Sequence, residues 1–87
     1  MYNFIPIPKD VFSIYRIVSD PSDWRHGREY RIEQQAIAHY EQVMTTHYLF
    51  EIVYPITAKE DENIPPCGVF VYKNNGTTVL NDKIRVI

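Results

Sequence analysis

Apolar residues recur every three or four positions between Arg28 and about Thr46, which is the spacing of an amphipathic α-helix. The apolar stripe consists of Ile32, Ala36, Ile37, Tyr40, Val43 and Met44. The shorter stretch 9–20 shows a similar separation and favours a second helix, although its β-branched and aromatic residues would also suit a strand. The segment 20–23 is typical of a helix start, because an Asp positioned to cap is followed by Pro.

Later segments have the composition of β-strands. The dense apolar and aromatic run 47–56 is too short and too rich in β-formers for another helix, so it predicts a central strand. Segments 68–73 and 77–80 flank Asn74-Asn75-Gly76, which is typical of a tight hairpin turn. Alternation in 83–87 predicts a final strand.

The register of this hairpin stays open at the level of sequence. A two-residue turn would place Val71 opposite Leu80, and a three-residue turn would place it opposite Val79. Helices first and strands afterwards indicate a small α+β domain. We predict one or two N-terminal helices, the main one at about 28–46, packed on an antiparallel sheet of three to four strands formed mostly by residues 47–87.

Composition supports a core that is rich in sheet, with eleven Ile and eight Val among 87 residues. No repeat or linker divides the chain, so 1–87 is interpreted as one compact domain. The formal net charge of -2 argues against a protein that mainly coats nucleic acid or an anionic membrane. No apolar run is long enough to span a bilayer, and the lone Cys67 cannot form an internal disulfide. We therefore expect a soluble, cytoplasmic protein.

Tyrosine is unusually frequent, with seven residues against only two leucines. Because a tyrosine ring is apolar and its tip is polar, this residue is enriched at protein contact surfaces. Three tyrosines lie on predicted apolar stripes or within the central strand and are expected to fill space: Tyr15, Tyr40 and Tyr48. Three others are expected to be free to contact a partner: Tyr30, Tyr54 and Tyr72.

Catalytic and metal-binding patterns are weak. His39 and His47 are eight positions apart and no H-E-x-x-H arrangement is present, so a metal site is not expected. Ser22, Asp23 and His26 offer the residue types of a hydrolytic triad, but three neighbours on one turn rarely converge as a triad does, and a helix cap is the preferred interpretation.

Cys67 would need a neighbouring His or helix terminus to become a nucleophile, and a free Cys at a strand start is more often packing. The three glycines are far apart, which excludes a P-loop and a dinucleotide fingerprint. We therefore expect neither an enzyme nor a bound cofactor.

Two segments remain as binding candidates. In segment 24–31, arginines alternate with aromatic residues, the mixture that contacts phosphates or forms protein hot spots; the competing interpretation is a helix entrance with internally paired ions. The second is the acidic run Glu60-Asp61-Glu62, which would suit a basic partner surface or would simply be solvated.

The leading hypothesis is a non-enzymatic domain that binds another protein, as an inhibitor or immunity-type partner. Small inhibitors encoded by phages or plasmids, including anti-CRISPR proteins, are similar to this chain in size and in lacking motifs. The candidate contact residues are Trp24, Arg25, Arg28, Tyr30, Arg31, Tyr54, Glu60, Asp61, Glu62 and Tyr72. The alternatives are a nucleic-acid-binding module that uses segment 24–31, and self-assembly through a sheet edge.

Overall fold

A computed structural model describes residues 6–60 and 63–87. Its elements are β1 (Val11–Val18), β2 (Arg28–Tyr30), α1 (Glu33–Val43), β3 (Tyr48–Pro55), a 3-10 helix (Ile56–Lys59), β4 (Gly68–Asn74) and β5 (Val79–Arg85). The five strands form one antiparallel sheet in the order β2-β1-β3-β4-β5, and α1 packs on one face. The predicted α+β class is confirmed, with one strand more than the upper number expected.

The stretch 9–20 is a strand and not a helix, so the favoured prediction for it is wrong. All eight residues of β1 pair with β3, from Val11 opposite Pro55 to Val18 opposite Tyr48. Both faces of β1 are covered to some extent, and its residues are all buried or half-buried. A strand of this kind carries apolar residues on both sides, so the alternation that identifies a strand is lost.

The main helix is shorter than predicted. Residues 28–30 form the edge strand β2, which pairs with β1, and α1 begins only at Glu33. Ile32, in the N-cap position, makes no side-chain cap. The predicted helix start at 20–23 is a turn: the Asp23 N–H donates to the Asp20 carbonyl, and the Ser22 N–H donates to the Asp20 side chain. These are the hydrogen bonds of a capping residue, used here to close a turn.

One core cluster lies between α1 and the sheet. Ala36 and Tyr40 of the helix contact Ile17 of β1, Leu49 of β3 and Tyr72 of β4. Tyr72 is only 6% exposed, so the prediction that it is free to contact a partner is wrong. Tyr48, which was expected to fill space, is 41% exposed because it points to the opposite face of β3 from Leu49.

A second core cluster covers the other face of the sheet, here called the far face. Val18, Phe50, Ile52 and Val69 are buried there under the ring of Trp24, which lies in the loop between β1 and β2. Because alternate strand residues point to opposite faces, one strand supplies both clusters: β1 gives Ile17 to the helix face and Val18 to the far face.

The β4–β5 hairpin exists, but neither predicted register is correct. Val71 lies opposite Ile84, and the ladder closes at Asn74 opposite Val79 after a local irregularity. The connecting loop is 75–78, where the Asn75 side chain accepts the backbone N–H groups of Thr77 and Thr78. The four-residue loop and the irregularity between Tyr72 and Asn74 together shift the pairing. Residues 83–85 therefore continue β5 and do not form a separate strand.

Within 6–60 and 63–87, no helix combines the length and the apolar character needed to cross a bilayer.

Candidate functional site

A groove of about 530 Å³ opens on the far face beside the Trp24 cluster. Phe12, Ile14 and Arg16 enter it from alternate positions of β1, and Tyr54 enters from the paired position of β3. The rings of Phe12 and Tyr54 are stacked, with centroids 5.6 Å apart and planes inclined by 21°. This pair forms an aromatic floor, and cross-strand register fixes its geometry. We call the feature the basic-aromatic groove.

Three cations surround this floor: Arg16, Arg31 and Lys59. Lys59, at the end of the 3-10 helix, holds its ammonium nitrogen 5.1 Å from the centroid of the Phe12 ring. Glu29 pairs with both arginines, at 3.1 Å from Arg16 Nη2 and 2.8 Å from Arg31 Nε. Lys59 forms no ion pair with any described residue, so it is the rim cation with most capacity for a new anionic partner.

Strand pairing explains why the two arginines meet on one glutamate. Arg16 lies directly opposite Glu29 in the β1–β2 ladder, and Arg31 follows Glu29 by two positions, so it falls on the same face. Arg16 also donates to the carbonyl oxygen of Gly27 at 3.1 Å. The guanidinium of Arg16 is therefore held in place before any ligand arrives, although exposed ion pairs of this kind add little stability.

Among the predicted contact residues that the structure describes, only Arg31 and Tyr54 line this groove. Trp24 is in the core and is 8% exposed, and the guanidinium carbon of Arg25 lies 4.4 Å from the centroid of its ring. Arg28 and Tyr30 lie on the other side of β2, where the guanidinium of Arg28 is 5.3 Å from the Tyr30 ring centroid. The segment 24–31 is therefore divided between two faces of the molecule and is not one surface.

The acidic segment is described in part. Glu60 is exposed at the end of the 3-10 helix, one residue beyond Lys59. Asp61 and Glu62 lie outside the described residues. Tyr72 donates a hydrogen bond to Glu33 beneath the helix and is distant from the groove in the sheet.

Six groove residues were missed by sequence reasoning: Phe12, Ile14, Arg16, Ala58, Lys59 and Ile64. The signal for the first three was the i, i+2, i+4 spacing of a strand, which the helical interpretation of 9–20 hid. Lys59 and Ile64 come from connections, and no local pattern indicates that a connection folds against a particular strand.

Comparisons of the chain with protein families, with curated proteins and with solved structures give no match.

Ser22, Asp23 and His26, which have the residue types of a hydrolytic triad, are not arranged as one. Ser22 donates its hydroxyl to Asp20, whereas His26 Nδ1 bonds to Asp23 at 2.8 Å, so the serine and the imidazole each have a different carboxylate. The Cys67 thiol donates to the Val53 carbonyl at 3.4 Å, which is a packing arrangement at the start of β4. Within 6–60 and 63–87, no three His, Cys, Asp or Glu side chains are grouped as metal ligands would be.

A polar cluster lies on the helix face, beside the part of the sheet that α1 covers. The carboxylate of Glu51 accepts hydrogen bonds from Ser13 at 2.7 Å and from Lys83 at 2.7 Å. Burial, followed by the charges of Glu51 and Glu33, raises the pKa of Tyr15 to about 12. Burial, followed by the hydrogen bond to Glu33, raises the pKa of Tyr72 above its usual value of 10.0 as well.

Alkaline pH should therefore destabilise the fold before these tyrosines ionise within it. Below pH 10 the contribution of Tyr15 and Tyr72 to the free energy of unfolding is fully present. Above pH 10 the unfolded chain loses phenolic protons that the folded chain retains. Stability therefore falls as pH rises from about 10 to about 12. Urea denaturation at several pH values would measure this slope. Tyr15→Phe should flatten it, whereas Tyr48→Phe, at an exposed ring, should change it less. An equal effect of the two substitutions would contradict the prediction.

Proposed function

We propose that this chain is a non-enzymatic protein-binding module whose contact surface is the basic-aromatic groove. The observation that carries the proposal is the stacked Phe12–Tyr54 floor beneath three cations. Aromatic and arginine side chains dominate the energetics of protein interfaces, above all where they line a recess. The arginines here are already ordered by Glu29, so binding them costs less conformational entropy.

The geometry favours a partner segment that combines an apolar or aromatic side chain with a carboxylate. The ring pair offers an apolar surface to the first, and Lys59 offers its charge to the second. Glu29 already compensates much of the charge of Arg16 and Arg31. Such a rim suits one or two carboxylates better than a continuous row of phosphates.

Single-stranded nucleic acid is the competing ligand, because stacked aromatic rings beside cations also bind bases and phosphates. The two ligands differ in their response to salt. Binding of nucleic acid weakens steeply as salt rises, since counterions return to the phosphates, whereas an interface anchored by aromatic rings resists moderate salt.

Selection from a random peptide library tests the proposal directly. We expect retained peptides to be enriched in aromatic and acidic residues, and their affinity to fall about tenfold or more in Tyr54→Ala and in Lys59→Glu. If Tyr54→Ala is poorly folded, Lys59→Glu still tests the proposal, because Lys59 is exposed. Circular dichroism of each variant would check the fold.

Matched controls lie outside the groove. Tyr48→Ala removes an exposed ring from the same strand as Tyr54, and Lys73→Glu reverses the charge of an exposed lysine; both should bind selected peptides as the wild type does. The proposal fails if no peptide is retained, or if the control variants lose as much affinity as the groove variants. Retention of a single-stranded oligonucleotide that is abolished by 0.2 M salt, together with loss in Lys59→Glu, would favour the competing ligand.

A further inference from the structure

All three histidines of the chain line one small cavity. His26, His39 and His47 border a space of about 290 Å³ between the end of β1 and the second half of α1, together with Arg28 and Ser19. They come from three separate parts of the chain, 19–28, 39 and 47, and none of them lines the basic-aromatic groove. The folded chain therefore gathers hydrogen-bond donors and imidazoles at a second place.

A close backbone approach holds two of these residues at the cavity. A Cβ atom at Gly27 would lie 2.3 Å from the carbonyl oxygen of Ile17, so only glycine lets the loop touch β1 at this point. The flanking residues His26 and Arg28 are consequently fixed on either side of the contact. The position of the cavity wall is thus built into the fold.

Hydrogen bonds orient each imidazole through the same ring nitrogen. Nδ1 of His39 is 2.7 Å from the Tyr30 hydroxyl, Nδ1 of His47 is 2.8 Å from Thr46 Oγ1, and Nδ1 of His26 is 2.8 Å from Asp23 Oδ1. The other ring nitrogen, Nε2, is therefore the one with capacity for a ligand in all three. When a ring is protonated, both of its nitrogens are donors.

The charge of this lining is unbalanced. Arg28 forms no ion pair with any residue in 6–60 or 63–87, and its guanidinium contacts the Tyr30 ring. None of the described residues that line the cavity has a carboxylate side chain. Asp23, which is not part of this lining, pairs with His26. His47 follows the carbonyl end of α1, which favours a cation there. Neither the charge of Arg28 nor that of protonated His39 is balanced in this way.

We propose that this cavity binds a tetrahedral oxyanion, the chemistry shared by sulfate and phosphate groups, between Arg28 and the three imidazoles. Arginine and protonated imidazole are strong donors to such an anion. Protonated imidazole carries a positive charge, so binding strengthens as the solution is acidified. A divalent metal ion is disfavoured because no three ligating side chains in the described residues are suitably grouped.

Sulfate is the appropriate probe, because it is a dianion at both pH values of the test and any pH dependence then comes from the protein. We would follow backbone amide chemical shifts during titration with sodium sulfate against sodium chloride at constant ionic strength. Saturable shifts are expected at 19, 26–28, 39 and 47. The dissociation constant should be about tenfold lower at pH 6 than at pH 8.

Two variants and one control make the test specific. Arg28→Gln should weaken sulfate binding about tenfold or more at both pH values, and His39→Gln, which cannot be protonated, should reduce the difference between pH 6 and pH 8. Arg25→Gln removes an exposed arginine that stacks on Trp24 outside the cavity and should bind as the wild type does. The proposal is overturned if shifts do not saturate, if affinity is the same at both pH values, or if Arg25→Gln and Arg28→Gln weaken binding equally.

Discussion

Replacing Gly27 by alanine should lower the free energy of unfolding by about 3 kcal/mol or more, because the added methyl group has no space. Its carbon would lie 2.3 Å from the Ile17 carbonyl oxygen and 2.4 Å from Val18 Cγ1. The first of these atoms is backbone in a strand that pairs with β3 at Leu49, so it cannot move without disturbing the centre of the sheet. Urea denaturation followed by circular dichroism would measure the loss.

Gly68→Ala is the matched control for this prediction. There the added carbon would lie 3.2 Å from Phe70 Cε1 and 3.5 Å from Ile7 Cδ1, which are the far ends of side chains that can shift. We expect a change of less than about 1 kcal/mol. A similar loss in both variants, or a negligible loss in Gly27→Ala, would show that the close approach of the loop to β1 is not needed.

Trp24→Ala should cost about 4 kcal/mol, the range for removal of a large buried aromatic side chain. The ring covers Val18, Phe50, Ile52 and Val69 on the far face, and its loss would expose or leave empty the space above them. Folded proteins are stable by only about 5–15 kcal/mol, so the variant should be close to unfolding at ambient temperature. Trp24→Phe should lose less than half as much stability as Trp24→Ala does.

Comparison of Arg25→Ala with Trp24→Ala distinguishes a core role of the Trp24 ring from a surface role. Arg25 stacks on the outer side of the ring, and its removal should cost less than about 1 kcal/mol. Circular dichroism is needed for comparison, because Trp24 is the only tryptophan and its substitution removes the fluorescence signal. If Trp24→Ala unfolds at the same urea concentration as the wild type, the ring is not part of the core.

The class of the fold could be predicted from sequence because its later half has clear local signals. The β-rich run that became β3 and the Asn-Asn-Gly turn between β4 and β5 both follow from residue preferences that neighbours do not override. The turn also shows the limit of such signals. Gly76 has φ +90 as expected, yet the loop is longer than expected, with Asn75 accepting two of its backbone N–H groups. This longer loop and the irregularity between Tyr72 and Asn74 together change the register.

The N-terminal half was harder to predict because its structure is set by distant partners. Arg28–Tyr30 has few strand-forming features of its own and becomes β2 only because β1 offers a free edge beside it. β1 itself is covered on both faces, so its apolar residues imitate the spacing of a helix. Tertiary pairing overrode local propensity in both segments.

The groove could not be predicted as a unit, since its residues come from five segments of the chain that only the folded sheet brings together. Tyr54 and Arg31 were identified by residue type, but their partner Phe12 lies more than forty positions before Tyr54 and is aligned with it by register alone. Trp24 was assigned to the surface for its chemistry, although the same apolar area makes it a core residue.

The groove contains two kinds of position, which differ in how freely their residues can be substituted. Phe12 and Tyr54 belong to paired strands, so a change in either affects the sheet as well as the ligand. Arg31 and Lys59 are exposed residues outside those two strands, where substitutions usually change stability by less than about 0.5 kcal/mol. Ligand preference can therefore be retuned at the rim while the floor is retained, which makes this sheet a scaffold on which a new specificity can be engineered with few substitutions.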